Sequence, residues 1–321
     1  FEKGVVVPHE KTLSKPKEDR RKLLEATETN FSPIFGLYDD PKKEVGAVIR
    51  GIFNQAPFYR AVDDENVRHE VWILDDPKVI EKLQTIFKHH KIYIADGHHR
   101  YQTSLDHSVR VREKLRTPQG TEIPSDFILM ALVDFYDPGL VLMPTHRMIL
   151  PFEGLEPETA VKALEPFFDI QKMAADKIFE ELRKNTGASK KDDGRVSFGL
   201  IFKTGASFLI RLKDPRKAKE KMGIAKADAW CGLDVVLLNH LILAKLWNLP
   251  ESQWEATIRY THSDEEAVAS VKNGKAEAVF LLQDPPVKIL REMGDIRELL
   301  PQKTTYFYPK LASGLVFHQH Q

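Results

Sequence analysis

The chain has 321 residues, more than one core usually organises, so two domains are expected. Its 47 lysines and arginines against 47 aspartates and glutamates leave no net charge, so no long-range field draws nucleic acid or a membrane surface, and any anion must be met by local groups. The one cysteine, Cys231, excludes an internal disulfide and points to a reducing compartment, by default the cytosol.

The first residues, FEKGVVV, carry no basic region ahead of a long apolar core, so they do not read as a secretory signal. Beginning on Phe1 and entering a strand at once, the chain reads as starting inside a longer one. Residues 5–7 predict a strand end, PHEKT a loop, and KPKEDRRKLLEATETN an exposed helix with Pro16 in its first turn. SPIFGLYDD and VGAVIRGIFN are both rich in β-formers around a charged turn, which predicts a hairpin, and HEVWILDD predicts another strand. Asp76 and Pro77 then open a helix whose Val79, Leu83 and Ile86 fall on one stripe. A strand follows over 91–95 and a second helix from about His99, with Tyr101, Leu105 and Val109 on its stripe. FILMALVDF has the length of a buried strand, and YDPGLVLMPTHRMIL adds turn residues and a β-rich piece.

Composition shifts near residue 150, which places a first domain at 1–150 and a second at 151–321. EPETAVKALEPFF and KIFEELRKN predict helices, RVSFGLIFK and ASFLIRLK a hairpin, and NTGASKKDDGR between them a surface loop. LDVVLLNHLILAKLW predicts a helix with His240 on its apolar face. Asn239, His240 and Lys245 interrupt it, and it falls short of the roughly 18 apolar residues that span a bilayer. ATIRYTH, a helix from Asp264 to about Lys272, the strand AEAVFLL and an extended aromatic tail complete the chain, with His262 and Asp264 read as a strand end and a helix cap.

Chemistry concentrates at one corner, ADGHHRY, residues 95–101. Gly97 permits a sharp turn at the strand end, and the helix beyond it aims unpaired amides at whatever lies outside. The helix dipole adds only about 0.3–1 kcal/mol for an exposed anion, so side chains must supply the rest. Arg100 can fork onto a phosphate or carboxylate, and His98 and His99 can donate when protonated. Asp96 would repel an anion unless a cation stands between them, and magnesium on a nucleotide phosphate meets that condition. Each residue alone also has a plain structural explanation; the run of five is what favours a site. Zinc held by His9, Asp96, His98 and His99 is less suited, because adjacent histidines at a helix start point about 100° apart.

Elsewhere, Glu10 in the loop after the first strand could serve as a general base or be a solvated loop acid. Thr145, His146 and Arg147, and Lys303, Thr304, Tyr306 and Lys310, suit substrate contacts and a structural rim equally. No Walker loop, nucleophile elbow or paired CxxC is present.

The segments VVVPHEKT, NFSPIFGLYDD, IADGHHRYQTSL, MPTHRMI and PQKTTYFYPKLASGLVF resemble the uncharacterised bacterial and archaeal family numbered 1015 among domains of unknown function. DGHHR is also similar to the phosphate-binding box of the ParB and sulfiredoxin superfamily, which includes free-serine kinases. The resemblance implies a ParB/sulfiredoxin-like first domain and a mixed α+β second domain. It implies Glu10 as base toward a serine hydroxyl and Asp96 to Arg100 as metal and phosphate box, although about 85 residues separate the two motifs here. The expectation is an α/β enzyme transferring a phosphoryl group from ATP or ADP with Mg2+ to a small hydroxylated metabolite, free L-serine first. Glu10, Asp96 and His98 would be catalytic, Asp96 would hold the metal, and Gly97, His98, His99, Arg100, Tyr101 and Lys303 would contact the cofactor. A non-catalytic nucleotide-binding module and a metal-dependent phosphohydrolase are the alternatives, and a homodimer is compatible with each.

Overall fold

A computed structural model describes residues 3–10, 14–64, 66–184, 195–301, 303–308 and 310–320. Strands and helices alternate in a mixed α/β chain that divides into two compact units. The first comprises residues 1–8, 12–140 and 311–321, and the second residues 9–11 and 141–310.

In the first unit, β1 (Val6–Val7), α1 (Ser14–Thr27), β2 (Thr29–Asn30) and β3 (Ile34–Tyr38) lead into α2 (Glu44–Ile49). The ribbon β4 (Tyr59–Val62) and β5 (Arg68–Val71) precedes α3 (Pro77–Phe87), β6 (Ile92–Asp96), α4 (His98–Leu115) and β7 (Met130–Asp134). The main sheet runs β1-β6-β3-β7, with β1 parallel to β6, β6 antiparallel to β3, and β3 parallel to β7. Central β3 is buried throughout. Gly36 sits where side chains of both neighbours close over it, since a Cβ there would lie 2.8 Å from Ile92 Cγ2 and 2.9 Å from Leu132 Cδ2. A terminal strand, His318–Gln319, pairs with β2.

The hairpin expected from SPIFGLYDD and VGAVIRGIFN does not form. Residues 44–54 are helical instead, because the buried Asp40 carboxylate takes the amides of Glu44 (3.0 Å) and Val45 (2.9 Å) and starts a helical turn. α3 forms as read, with Pro77 in its first turn and Asp76 accepting from the Lys78 amide. The expected stripe of α4 does not face inward. Leu105 and Val109 are exposed, while His98 at the helix start and Thr103, Ser104, His107 and Ser108 on the opposite face are buried, and α1 packs against α4.

In the second unit, β8 (Val141–Met143) pairs with β15 (Tyr306–Tyr308). The large sheet collects β9 (His146–Ile149), β10 (Phe168–Lys172), β11 (Ser197–Phe202), β12 (Ser207–Leu212), β13 (Ile258–Thr261) and β14 (Ala278–Leu281) in the order β10-β12-β11-β14-β9-β13, every pair antiparallel. Because β8 and β9 pair with strands far downstream, the boundary between units falls at 140/141 rather than near 150.

Ile178 and Leu182 of the helix Ala175–Lys184, and Ala267 and Val271 of the helix Asp264–Lys272, cover one face of this sheet. On the other face Phe202 and Phe280 meet Trp247 at 6.2 and 5.0 Å between ring centroids. Burial on both faces explains why β11 and β14 read as continuous apolar runs. The apolar segment 233–247 is helical as expected, with a π-helical stretch over Leu237–Leu246, and His240 packs between Trp230 and Trp254. Most of the loop read at 185–195 lies outside the described residues. No helix among the described residues is long and apolar enough to cross a membrane.

Candidate functional site

The DGHHR corner is built from adjacent residues. β6 ends on Asp96, Gly97 takes φ 96° and ψ 21°, and α4 starts at His98. A side chain at Gly97 would be strained by that backbone and would crowd Ile34 Cδ1 at 3.0 Å and Arg100 Nη2 at 2.9 Å. The Gly97 carbonyl accepts from the Tyr101 amide at 2.9 Å, closing the first turn. Such a turn leaves its leading amides without partners inside the helix.

Arg100 reaches back over the corner, and its Nη2 donates to the Pro33 carbonyl at 3.1 Å and to Asp96 Oδ2 at 3.2 Å. Both partners of this ion pair remain partly exposed, 42% for Asp96 and 30% for Arg100. His98 is buried, and Tyr101 is half-buried with its phenol pushed up by burial. His99 differs from expectation. Burial, then the cations Lys17, Arg20 and Arg100, push its imidazole below the ordinary value, with Asp96 opposing weakly. It is therefore a neutral hydrogen-bonding ring at neutral pH, and the positive charge comes from the lysine and arginines around it.

Beside the corner lies a cavity of about 270 Å³ between α1 and α4, lined by Arg20, Asn30, Ser32, Arg100, Thr103 and Ser104 among others. Buried Thr103 keeps a hydroxyl with no hydrogen-bond partner among the described residues, and Arg100 Nε is likewise buried and unpartnered. A cavity with two guanidinium groups, hydroxyls and a helix start can take an anion that carries further polar groups.

Glu10 and Lys303 both belong to the second unit. The Glu10 carboxylate lies 4.0 Å from His9 Nε2, which also meets Thr305 Oγ1 at 3.1 Å, while the His9 carbonyl accepts from the Leu300 amide at 2.7 Å. The loop carrying Glu10 is thus stitched to the segment that carries Lys303. The Lys303 carbonyl accepts from Arg147 Nη2 at 3.0 Å, and its side chain is exposed. Arg147 is wholly buried and bonded to backbone carbonyls of Thr145 and Lys303, so it braces the unit rather than facing a substrate.

The second unit also holds a constellation that sequence reasoning missed. A cavity of about 550 Å³, lined by Phe179, Arg183, His262, Asp264, Asp284 and Tyr306 among others, is within the usual range for a small-molecule pocket. Behind it, the Leu282 amide donates to His146 Nδ1 at 3.1 Å, which fixes the tautomer so that Nε2–H donates to Asp264 Oδ1 at 2.8 Å. Arg183 holds the other Asp264 oxygen.

Burial alone would raise the Asp264 carboxyl, but the hydrogen bond from His146 and the hydrogen bond and charge of Arg183 outweigh it and hold the group below its ordinary value. Asp284, also in the lining, is pushed the other way, first by loss of water around its carboxyl and then by Asp264, with Arg183 opposing. Two carboxyls with pKa values driven apart can divide proton-accepting and proton-donating roles. Asp264 is not the helix cap. Ser263 fills that role by accepting from the Glu266 amide at 3.1 Å, and this frees Asp264 for His146. The only sequence signal was the grouping of His146 and Asp264 with other polar residues at strand ends, which does not pair them.

No curated protein matches this chain. Among solved structures it is similar to a conserved hypothetical protein from Pyrococcus furiosus, at 15% identity over 96% of this chain and 91% of that one, with a TM-score of 0.42. It is also similar to a free serine kinase in complex with AMP, at 14% identity over 96% and 88%, TM-score 0.44. A C-terminally truncated SbnI from Staphylococcus aureus gives 9% identity over 97% and 82%, TM-score 0.40. At these levels the likeness assigns no residue a role. A family model does match residues 1–236, so the chain belongs to the family described as protein of unknown function, DUF1015.

Proposed function

We propose that this protein is a nucleotide-dependent phosphotransferase that uses ATP or ADP with magnesium and phosphorylates a small hydroxylated metabolite, with free L-serine as the first acceptor to test. The observation that carries this reading is the positive enclosure at the start of α4. Arg20 and Arg100 line its cavity, and with Lys17 they add to burial in keeping the His99 imidazole neutral. A space of about 270 Å³ lies just under the range for whole small ligands, so it suits phosphate and sugar with the base outside.

The Asp96–Arg100 pair fits a magnesium nucleotide, because such a ligand offers each partner a replacement. Phosphate oxygens suit the planar guanidinium, and magnesium is commonly held by one or two carboxylates plus phosphate. When bound, the cation would neutralise phosphate charge during transfer. Arg100 would orient the phosphates, His98 and His99 would hydrogen-bond to them, and the first-turn amides would add their dipoles. The DGHHR resemblance supports serine as acceptor and Glu10 as base, and the charge of Lys303, apart from that resemblance, makes it a further phosphate contact to test.

The test is phosphorus NMR of the chain with magnesium, serine and either ATP or ADP. Appearance of phosphoserine is the expected result. Asp96→Ala should abolish turnover and weaken magnesium-nucleotide binding, whereas Glu10→Gln should spare binding and slow transfer. Tight nucleotide binding with no phosphorylated product for any hydroxylated acceptor would overturn the transferase reading and leave a nucleotide-binding module. Phosphate release without an acceptor would instead indicate a phosphohydrolase.

A further inference from the structure

Three side chains from separate segments of the first unit converge at the end of its sheet remote from Gly97. Asp40 lies two residues beyond β3, Glu44 is the first residue of α2, and His90 lies two residues before β6. One ligating atom from each falls within 4.8 Å of the other two. Because β3 and β6 are antiparallel, these positions share one end of the strand pair, whereas Asp96 and Gly97 occupy the other. At about 3.3 Å per residue, β6 separates the two places by more than about 13 Å.

Asp40 and His90 are held in place by their surroundings, and Glu44 reaches the same point from the exposed side. Asp40 is only 1% exposed, and its two oxygens accept the amides of Glu44 and Val45, which fixes their direction while leaving each oxygen a further lone pair. The His90 ring stands edge-on to Tyr38 and Phe87, with centroids 5.9 Å from each, so packing sets its orientation. Its ring nitrogens have no hydrogen-bond or ion-pair partner among the described residues. Helix capping explains Asp40 by itself, but it does not explain why an imidazole and a second carboxylate converge on the same point. A cation with bonds of about 2.0–2.2 Å bridges donors spaced this way.

We propose that Asp40, Glu44 and His90 form a binding site for a first-row divalent transition cation, with Zn2+ as its representative. One imidazole and two carboxylates suit zinc, manganese or iron, whereas magnesium and calcium prefer all-oxygen shells. The amides on Asp40 act as the outer hydrogen bonds that orient a metal-binding carboxylate. Three protein donors leave at least one coordination position for water or a ligand oxygen. The site would also tie the start of α2 to the turn before β6. It does not depend on the phosphotransferase reading.

Equilibrium dialysis of the metal-stripped full chain against Zn2+ or Mg2+, with elemental analysis and urea unfolding, tests the site. The expected result is one zinc per chain, no comparable magnesium uptake, and a raised urea midpoint. At free zinc 100 times its Kd, the folded-to-unfolded ratio should rise about 100-fold. His90→Ala and Glu44→Gln should each weaken zinc binding by more than about tenfold while circular dichroism stays unchanged. Glu44 is exposed and its carboxylate caps no helix, so Glu44→Gln controls against misfolding. Absence of zinc binding by the unaltered chain, or full-affinity binding by both variants, overturns the proposal. Equal uptake of magnesium overturns imidazole ligation.

Discussion

The DGHHR corner and the cavity of the second unit are assembled in opposite ways. In the corner, six consecutive residues from Asp96 to Tyr101 carry the turn, the helix start and an i,i+4 ion pair, so backbone geometry does most of the positioning. In the cavity, Arg183, Asp264 and Asp284 arrive from three segments with His146 behind them from a fourth, and side-chain bonds from His146 and Arg183 hold Asp264. The first can be damaged by changing the path of the chain, and the second by changing a single charge.

The largest effect is expected at Gly97. Gly97→Val forces a β-branched residue into a left-handed backbone, which costs about 1–2 kcal/mol, and presses it against Ile34, for a total loss of about 2–4 kcal/mol in urea unfolding. Unchanged stability would mean that the corner does not rest on this turn.

Asp264→Asn should cost about 2 kcal/mol, because it removes charge-assisted bonds from a mostly buried carboxylate. Its pH signature is separable. The Asp264 carboxyl is held down in the folded chain, so its stabilisation is present above the ordinary carboxylate value and is lost as pH falls through the lowered one. The variant should therefore lose less stability on acidification than the unaltered chain. Parallel acid curves would show that the His146–Asp264 bond carries little energy.

A smaller effect is expected at Thr103. Replacing its unpartnered buried hydroxyl by Thr103→Val should leave stability within about 1 kcal/mol or raise it. A larger loss would show that the hydroxyl is satisfied in solution. The smallest effect concerns charge alone. Arg20→Ala should let the His99 imidazole rise toward its ordinary value, as read by NMR titration. An unmoved titration would remove Arg20 from the positive enclosure.

Legibility in the sequence follows the range of the interactions. α3 is readable because Asp76, Pro77 and the stripe of Val79, Leu83 and Ile86 act within a few residues. The corner is readable for the same reason. The segment 45–54 misleads, since its β-rich composition is overruled by two hydrogen bonds to Asp40, a side chain not counted among its formers. α4 misleads differently. Leu105 and Val109 mark an apolar stripe, yet tertiary packing buries Thr103, Ser104, His107 and Ser108 on the other face instead.

Taken by itself, the sequence determined a composition without net charge, most of the helices and strands, and a corner that turns on a glycine into a helix start carrying Arg100. Caps, turns and periodic stripes act between near neighbours, so a linear reading reaches them. Only the tertiary structure decided that β8 and β9 join the second unit, that His146 meets Asp264, and that Asp40, Glu44 and His90 face one point. Those outcomes depend on which distant strands pair and which helices pack, choices that burial and register make across tens to more than a hundred residues and that local spacing does not encode.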